Sequence, residues 1–93
     1  MILAQKLVFN PRINSFNVTN NARKTSGYPA IKSMNEVNTS PAPTLESCAQ
    51  ECLDTSGCAG FTVDLRYALS CSLYNYDFPV SSTQDQRYVY KKK

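Results

Sequence analysis

Cys48, Cys52, Cys58 and Cys71 are the only cysteines in the chain, and they are the residues best suited to chemistry. Thiols at close spacing bind zinc, a CxxC pair exchanges disulfides, and cysteines brought together from different elements form structural bridges. A zinc site needs two close pairs, and here Cys48 and Cys52 form one while Cys58 and Cys71 lie far apart in sequence with no local knuckle. The chain has no histidine, so the commonest metal ligand and the commonest general base are both missing. The close pair is CxxxC rather than CxxC, which argues against redox exchange. Structural bridges are the expected use, with no metal and no cofactor. Nor do the remaining residues suggest an enzyme. Asp54, Asp64, Asp77 and Asp85 show no paired motif spacing, the serines and threonines have no histidine to activate them, and there is no Gly-rich phosphate loop.

Local pattern defines the elements that must position these sulfurs. Pro41 and Pro43 keep the approach extended, Thr44 is placed to cap a helix, and Glu46 suits its positive end. Leu45, Cys48, Ala49, Cys52 and Leu53 then recur as one helical stripe, with Glu46, Gln50 and Glu51 facing the other way. Asp54-Thr55-Ser56-Gly57 ends the helix, Gly57 being free to take positive φ. After Cys58, Ala59, Phe61 and Val63 share one face of a strand and Gly60, Thr62 and Asp64 the other. A loop through Arg66 and Ala68 leads to a strand with Cys71 and Leu73 on one face, and residues 87–91 make a closing strand around Tyr88, Val89 and Tyr90.

The first half is less regular. Residues 6–9 and 13–18 read as short strands anchored by Phe9, Ile13, Phe16 and Val18, with turns at Asn10-Pro11, Asn20-Asn21 and Ser26-Gly27. The loose alternation from Tyr28 offers Ile31 and Met34 as core candidates. The plan is α+β, with one helix on an antiparallel sheet. Cys48 and Cys52, one turn apart on the helix face that meets the sheet, are placed to reach cysteines outside the helix, and bonding to each other would strain it. The short turn brings Cys52 to Cys58, which leaves Cys48 for Cys71.

Composition sets the scale. Ninety-three residues, 42% apolar and 18% charged, make one domain, residues 1–93, with a modest core. No apolar run approaches the roughly 20 residues of a bilayer crossing, so no membrane insertion is expected. The net charge of +3 includes the run Lys91, Lys92 and Lys93, too little for a nucleic-acid face. The start of the chain is too short in apolar residues for a signal peptide, which suggests a mature or excised segment. Disulfides call for an oxidising compartment, and the sequons at Asn17 and Asn38 agree with secretion and N-glycosylation.

The segment CAQECLDTSGCAGFTVDLRYALSCSLY resembles the PAN/apple domain family: a helix carrying CxxxC, a short turn to a third cysteine, an aromatic shortly after it in a strand, and a fourth cysteine followed closely by leucine. The resemblance implies a single helix on a curled sheet of about five antiparallel strands, with Cys48 bonded to Cys71 and Cys52 to Cys58. The apple subgroup adds an end-joining bridge for which this chain has no cysteines, so the likeness is to the PAN and growth-factor N-domain type. It also implies a non-catalytic extracellular module that binds a protein or carbohydrate ligand. Family binding positions vary, so no contact is carried over.

The residues suggest three surfaces. Arg87 with Lys91, Lys92 and Lys93 would suit a polyanion, against the simpler reading of a solvated tail or linker. Tyr74, Tyr76, Tyr88 and Tyr90 would stack on sugars, against the simpler reading of cross-strand packing. Tyrosine-bearing strands without an end-closing bridge would also allow self-assembly into an extracellular filament or matrix.

Overall fold

A computed structural model describes residues 12–24, 29–66, 68–83 and 86–93. In chain order these form a 3-10 turn (Arg12–Ser15), β1 (Phe16–Asn20), β2 (Ala22–Lys24), β3 (Lys32–Met34), α1 (Leu45–Asp54), β4 (Gly60–Asp64), β5 (Ser70–Tyr74), β6 (Val80–Ser82) and β7 (Arg87–Lys92). The expected strand at 6–9 with its anchor Phe9, the turns at Asn10-Pro11 and Ser26-Gly27, and Tyr28 and Asp85 lie outside the described residues.

The helix forms where its stripe and caps place it. Thr44, in extended conformation, accepts the Ser47 N–H at 3.0 Å, and Ser47 Oγ accepts the Thr44 N–H at 2.7 Å, so each satisfies a donor of the first turn. At the other end the chain reverses through Gly57, whose φ of +83° is strained for any residue with a Cβ. Glu46 does more than face the helix dipole: its carboxylate accepts the N–H groups of Arg12 and Ile13. These bonds tie the start of a 3-10 turn, Arg12–Ser15, to the helix, and the strand expected from Ile13 starts only at Phe16.

Five strands form one antiparallel sheet in the order β1-β7-β4-β5-β3. Period-two alternation sorts its side chains onto two faces. Facing α1 are Phe61 and Val63 of β4, Cys71 and Leu73 of β5, and Tyr90 of β7, which join Phe16, Met34, Cys48, Ala49 and Cys52 in one core. Phe61 is fully buried at its centre, stacked on Tyr90 at 4.9 Å between ring centroids and edge-on to Phe16 at 5.0 Å. The opposite face carries a second core, Tyr74 and Val89 with Ala22 and Phe78. It is covered by a two-stranded antiparallel sheet of β2 and β6, with Arg23 opposite Ser81, that the sequence reading did not anticipate.

Both bridges lie between the helix and what it packs on. Cys48 bonds to Cys71 on β5 and Cys52 to Cys58 just before β4, with Cα separations of 6.4 and 5.4 Å. Their sequence separations of 23 and 6 residues correspond, in the loop-entropy account, to about 3 and about 2 kcal/mol. The protein is therefore α+β, with a single helix among the described residues, a five-stranded antiparallel sheet, a small second sheet and two disulfides.

Two core assignments from sequence are corrected. Val18 is 49% exposed because β1 is an edge strand and carries it beyond the cover of the helix. Ile31 is 41% exposed; it precedes β3, and its backbone N–H, bonded to the Leu73 carbonyl at 2.8 Å, holds it to the sheet. Met34 is buried as expected, and the closing strand runs one residue further, to Lys92. These burials set a contrast for urea unfolding. Phe61→Ala is expected to cost about 3–5 kcal/mol, whereas Val18→Ala should stay within about 0.5 kcal/mol.

Candidate functional site

The sheet face opposite the helix is covered over only part of its area. Beneath β2 and β6 it is apolar, but the strands end there in short polar side chains. Successive cross-strand rows read Tyr74–Gly60–Lys91, then Ser33–Ser72–Thr62–Val89, then Ser70–Asp64–Arg87. At Gly60 the main chains crowd together: a Cβ there would lie 2.5 Å from the Tyr90 carbonyl oxygen. Past it, Thr62, Ser70 and Ser72 are too small to fill the space beside β2. The result is a cleft of about 230 Å³ with Thr62, Ser70 and Ser72 among its lining, bounded by Arg23 and Lys24 on one side and Asp64 with Arg87 on the other.

The walls of the cleft are fixed by charge. The Arg66 guanidinium binds the Asp64 carboxylate at 3.1 and 2.8 Å, and the Arg66 N–H adds a bond of 3.0 Å. Arg87 Nε stands 3.7 Å from the same carboxylate. The Arg66 hydrogen bond is the main reason the Asp64 carboxyl sits below its ordinary value; partial burial opposes this, and the charges of Arg66 and Arg87 reinforce it. At the other wall the Lys24 ammonium lies 5.2 Å from the centre of the Tyr74 ring, a cation–π contact. Ser33 and Ser72 hydroxyls share a hydrogen bond of 3.1 Å at the β3 side. Hydroxyls, a carboxylate and cations on a fixed sheet can hold a polar ligand by hydrogen bonds and charge.

The residues singled out from sequence are dispersed. Arg87 and Lys91 both face away from the helix, but four strand steps separate them by roughly 13 Å, and Lys91 is bonded to Asp77 at 2.8 Å and the Phe78 carbonyl at 2.7 Å. Lys92 falls on the helix side, opposite Phe16, and the Lys93 N–H bonds to Ser15 at 3.0 Å. The lysine run is thus a strand held against β1 and the preceding turn, with its cations split between faces. The tyrosines divide likewise. Tyr88 and Tyr90 pack on the helix-side core, where burial pushes the Tyr90 hydroxyl up, while on the other side Tyr76 packs edge to face with both Tyr74 and Phe78. Among the sequons, Asn17 is exposed on edge strand β1. Asn38 is built into a turn: its Oδ1 accepts the Asn35 N–H at 2.9 Å, its Nδ2 donates to the Ser33 carbonyl at 3.2 Å, and Asn35 Oδ1 accepts the Asn38 N–H at 2.9 Å. All four cysteines are consumed in the bridges.

Comparison with known protein families, with curated proteins and with solved structures finds no match. The cleft therefore rests on its own geometry. Sequence reasoning missed it, although a signal existed: Thr62, Asp64, Ser70 and Ser72 occupy the strand positions opposite the helix-facing ones. What was not legible was that β2, three residues long, would border them as one wall of the cleft.

Asp64 supplies a pH test. A carboxyl whose folded-state value is depressed adds stability that is fully present above the unfolded-state value and is lost as pH falls through the folded-state value. Native protein should therefore lose stability relative to Asp64→Asn on acidification below about pH 4, read as converging Tm values in thermal unfolding. Removing the Arg66 side chain in Arg66→Ala should raise the Asp64 midpoint in a carboxyl NMR titration.

Proposed function

We propose that this chain is a non-catalytic extracellular recognition module that binds a protein or glycan ligand in the cleft over Thr62, Ser70 and Ser72. The observation that carries the reading is the polar concavity itself, set on the sheet face that the helix leaves free. Recognition sites are concave and use a few convergent polar groups on a rigid support. Here the support is a sheet whose other face is tied to α1 through Cys71. Two disulfides favour an oxidising compartment, and among the described residues no helix is long and apolar enough to cross a membrane. The pairing of the cysteines is the one the PAN/apple resemblance implies, which supports the module reading without identifying the family. A binding role also suits the carboxylates: Asp64 is engaged by Arg66 and Asp77 by Lys91, each in an ion pair at 2.8 Å.

A second reading, self-assembly into an extracellular filament or matrix, is favoured by one feature. β1 is a sheet edge whose last four residues, Asn17, Val18, Thr19 and Asn20, are exposed and uncharged, lacking the charges that usually guard such edges. Sedimentation separates the readings: long polymers from the purified, oxidised chain would establish assembly, whereas a monomer that retains ligand supports recognition. For recognition, the oxidised chain is presented to arrayed glycans and extracellular proteins. Ser70→Gln, which fills the cleft from its floor and leaves both disulfides intact, should abolish the retention seen with the native chain. Unchanged retention by a folded Ser70→Gln would refute the cleft as the binding site.

A further inference from the structure

The charge and size of the cleft narrow its ligand. Two cationic side chains, Lys24 and Arg87, are directed at the cleft against a single carboxylate, that of Asp64, while Arg23 between Ala22 and Lys24 is exposed on the outer face of β2. That carboxylate is already engaged by Arg66, with Arg87 close to it. The positive surplus thus falls at the β2 wall, on Lys24, away from the Asp64 wall. A ligand that fits must bring a negative charge to that wall. The floor demands something different: Thr62, Ser70 and Ser72 present hydroxyls, which both donate and accept. A flat aromatic or a long aliphatic group would leave them unpaired, at a cost. A ring that carries several hydroxyls and one anionic group meets both requirements.

Volume limits the ligand to one such ring. At about 230 Å³ the cleft is smaller than the roughly 300–1,000 Å³ sites that enclose drug-sized molecules. An extended polyanion also finds no continuous track, because Lys91 is turned onto Asp77 and Phe78 while Lys92 lies on the opposite face of the sheet.

Building on the proposed recognition role, we propose that the cleft binds a single acidic sugar unit, its carboxylate held at Lys24 and its ring hydroxyls hydrogen-bonded along Thr62, Ser70 and Ser72. The carboxylate gains a charge-assisted contact at the β2 wall, and Lys24 reaches it by leaving the face of the Tyr74 ring. An equatorial hydroxyl on the far side of the ring meets the fixed Asp64 carboxylate, which acts as acceptor.

The test uses the oxidised, full chain and two sugars of one shape, methyl glucuronide and methyl glucoside, which differ in carboxylate against hydroxymethyl. Amide NMR titration should show shifts at Thr62, Ser70 and Ser72 with the glucuronide. The glucoside should bind at least tenfold more weakly, the scale of a hydrogen bond to a charged group. Lys24→Gln should lower glucuronide affinity by a similar factor and Ser72→Ala by about two- to tenfold, while Lys92→Gln changes nothing. Free glucuronate added in parallel separates a free sugar acid, which it alone would mimic, from a glycan terminus, which the methyl glycoside mimics; binding of either at the cleft supports the proposal. Equal binding of glucuronide and glucoside overturns it while leaving a glycan-binding cleft in place. Shifts confined to Lys92 and Lys93 overturn it in favour of a surface polyanion site. If neither sugar moves the cleft amides but Ser70→Gln still abolishes capture of a protein, the sugar proposal fails and the recognition role survives. If Ser70→Gln leaves all capture unchanged, the cleft fails as the binding site and the sugar proposal fails with it.

Discussion

Two cysteines one turn apart on α1 must both face the sheet, and much of the remaining structure follows from that constraint. A domain of this size buries too little surface for its core alone to outweigh chain entropy by a wide margin. The cystines act on the unfolded state, shortening the loops that folding must close. Because Cys48 and Cys52 have no exposed surface, the helix cannot tilt or roll away from the sheet without exposing them. Phe61, Leu73 and Val63 are then packed against a helix face that has one orientation open to it.

This closure decides where a ligand can go. The helix-facing side of β4 and β5 is filled, so any concavity built from these strands has to lie on the other side, where Thr62, Asp64, Ser70 and Ser72 project. The small sheet of β2 and β6 covers the aromatic half of that side and stops at the polar half. A floor of strand residues whose neighbours are cross-linked to the helix keeps its hydroxyls at fixed spacing, and a ligand meeting it has little ordering left to impose.

Much of this was legible in the sequence. The helix, its start at Thr44, its reversal at Gly57 and the Cys52–Cys58 bridge follow from residues a few positions apart, and Cys48–Cys71 is the pair that remains. The alternation of β4, β5 and β7 was legible for the same reason. What escaped depends on partners distant in the chain. β2 and β6 are three residues each and pair across nearly sixty positions, leaving no period to detect. The exposure of Val18 and Ile31 comes from position at a sheet edge and before a strand, which composition does not encode. Ser47 as the reciprocal cap and Glu46 as the acceptor for the Arg12 turn are choices among several polar residues that geometry alone settles. The lysine run is the clearest case, since contiguity in sequence suggests a patch while strand alternation sends Lys91 and Lys92 to opposite faces.

Edge strand β1 links the two functional readings through one residue. Asn17 faces the same side of the sheet as the cleft and sits opposite Lys91 on β7. A bare β1 offers uncharged backbone to a neighbouring chain, whereas a sugar on Asn17 would crowd that approach at its first turn of pairing. The other edge, β3, begins with Lys32, whose ammonium is held by Glu51 of α1 at 2.7 Å. A charge tied to the helix keeps that edge from presenting a flat apolar strand, and such a pair adds only about 0–1 kcal/mol to stability, so its effect is on association more than on folding. The two edges are thus unequal: β3 carries its guard in the sequence itself, while β1 has none among its own side chains and would be guarded only if Asn17 carried a sugar. Glycosylation at Asn17 would therefore favour the monomer and leave the cleft, on the interior strands β4 and β5, as the surface available for recognition.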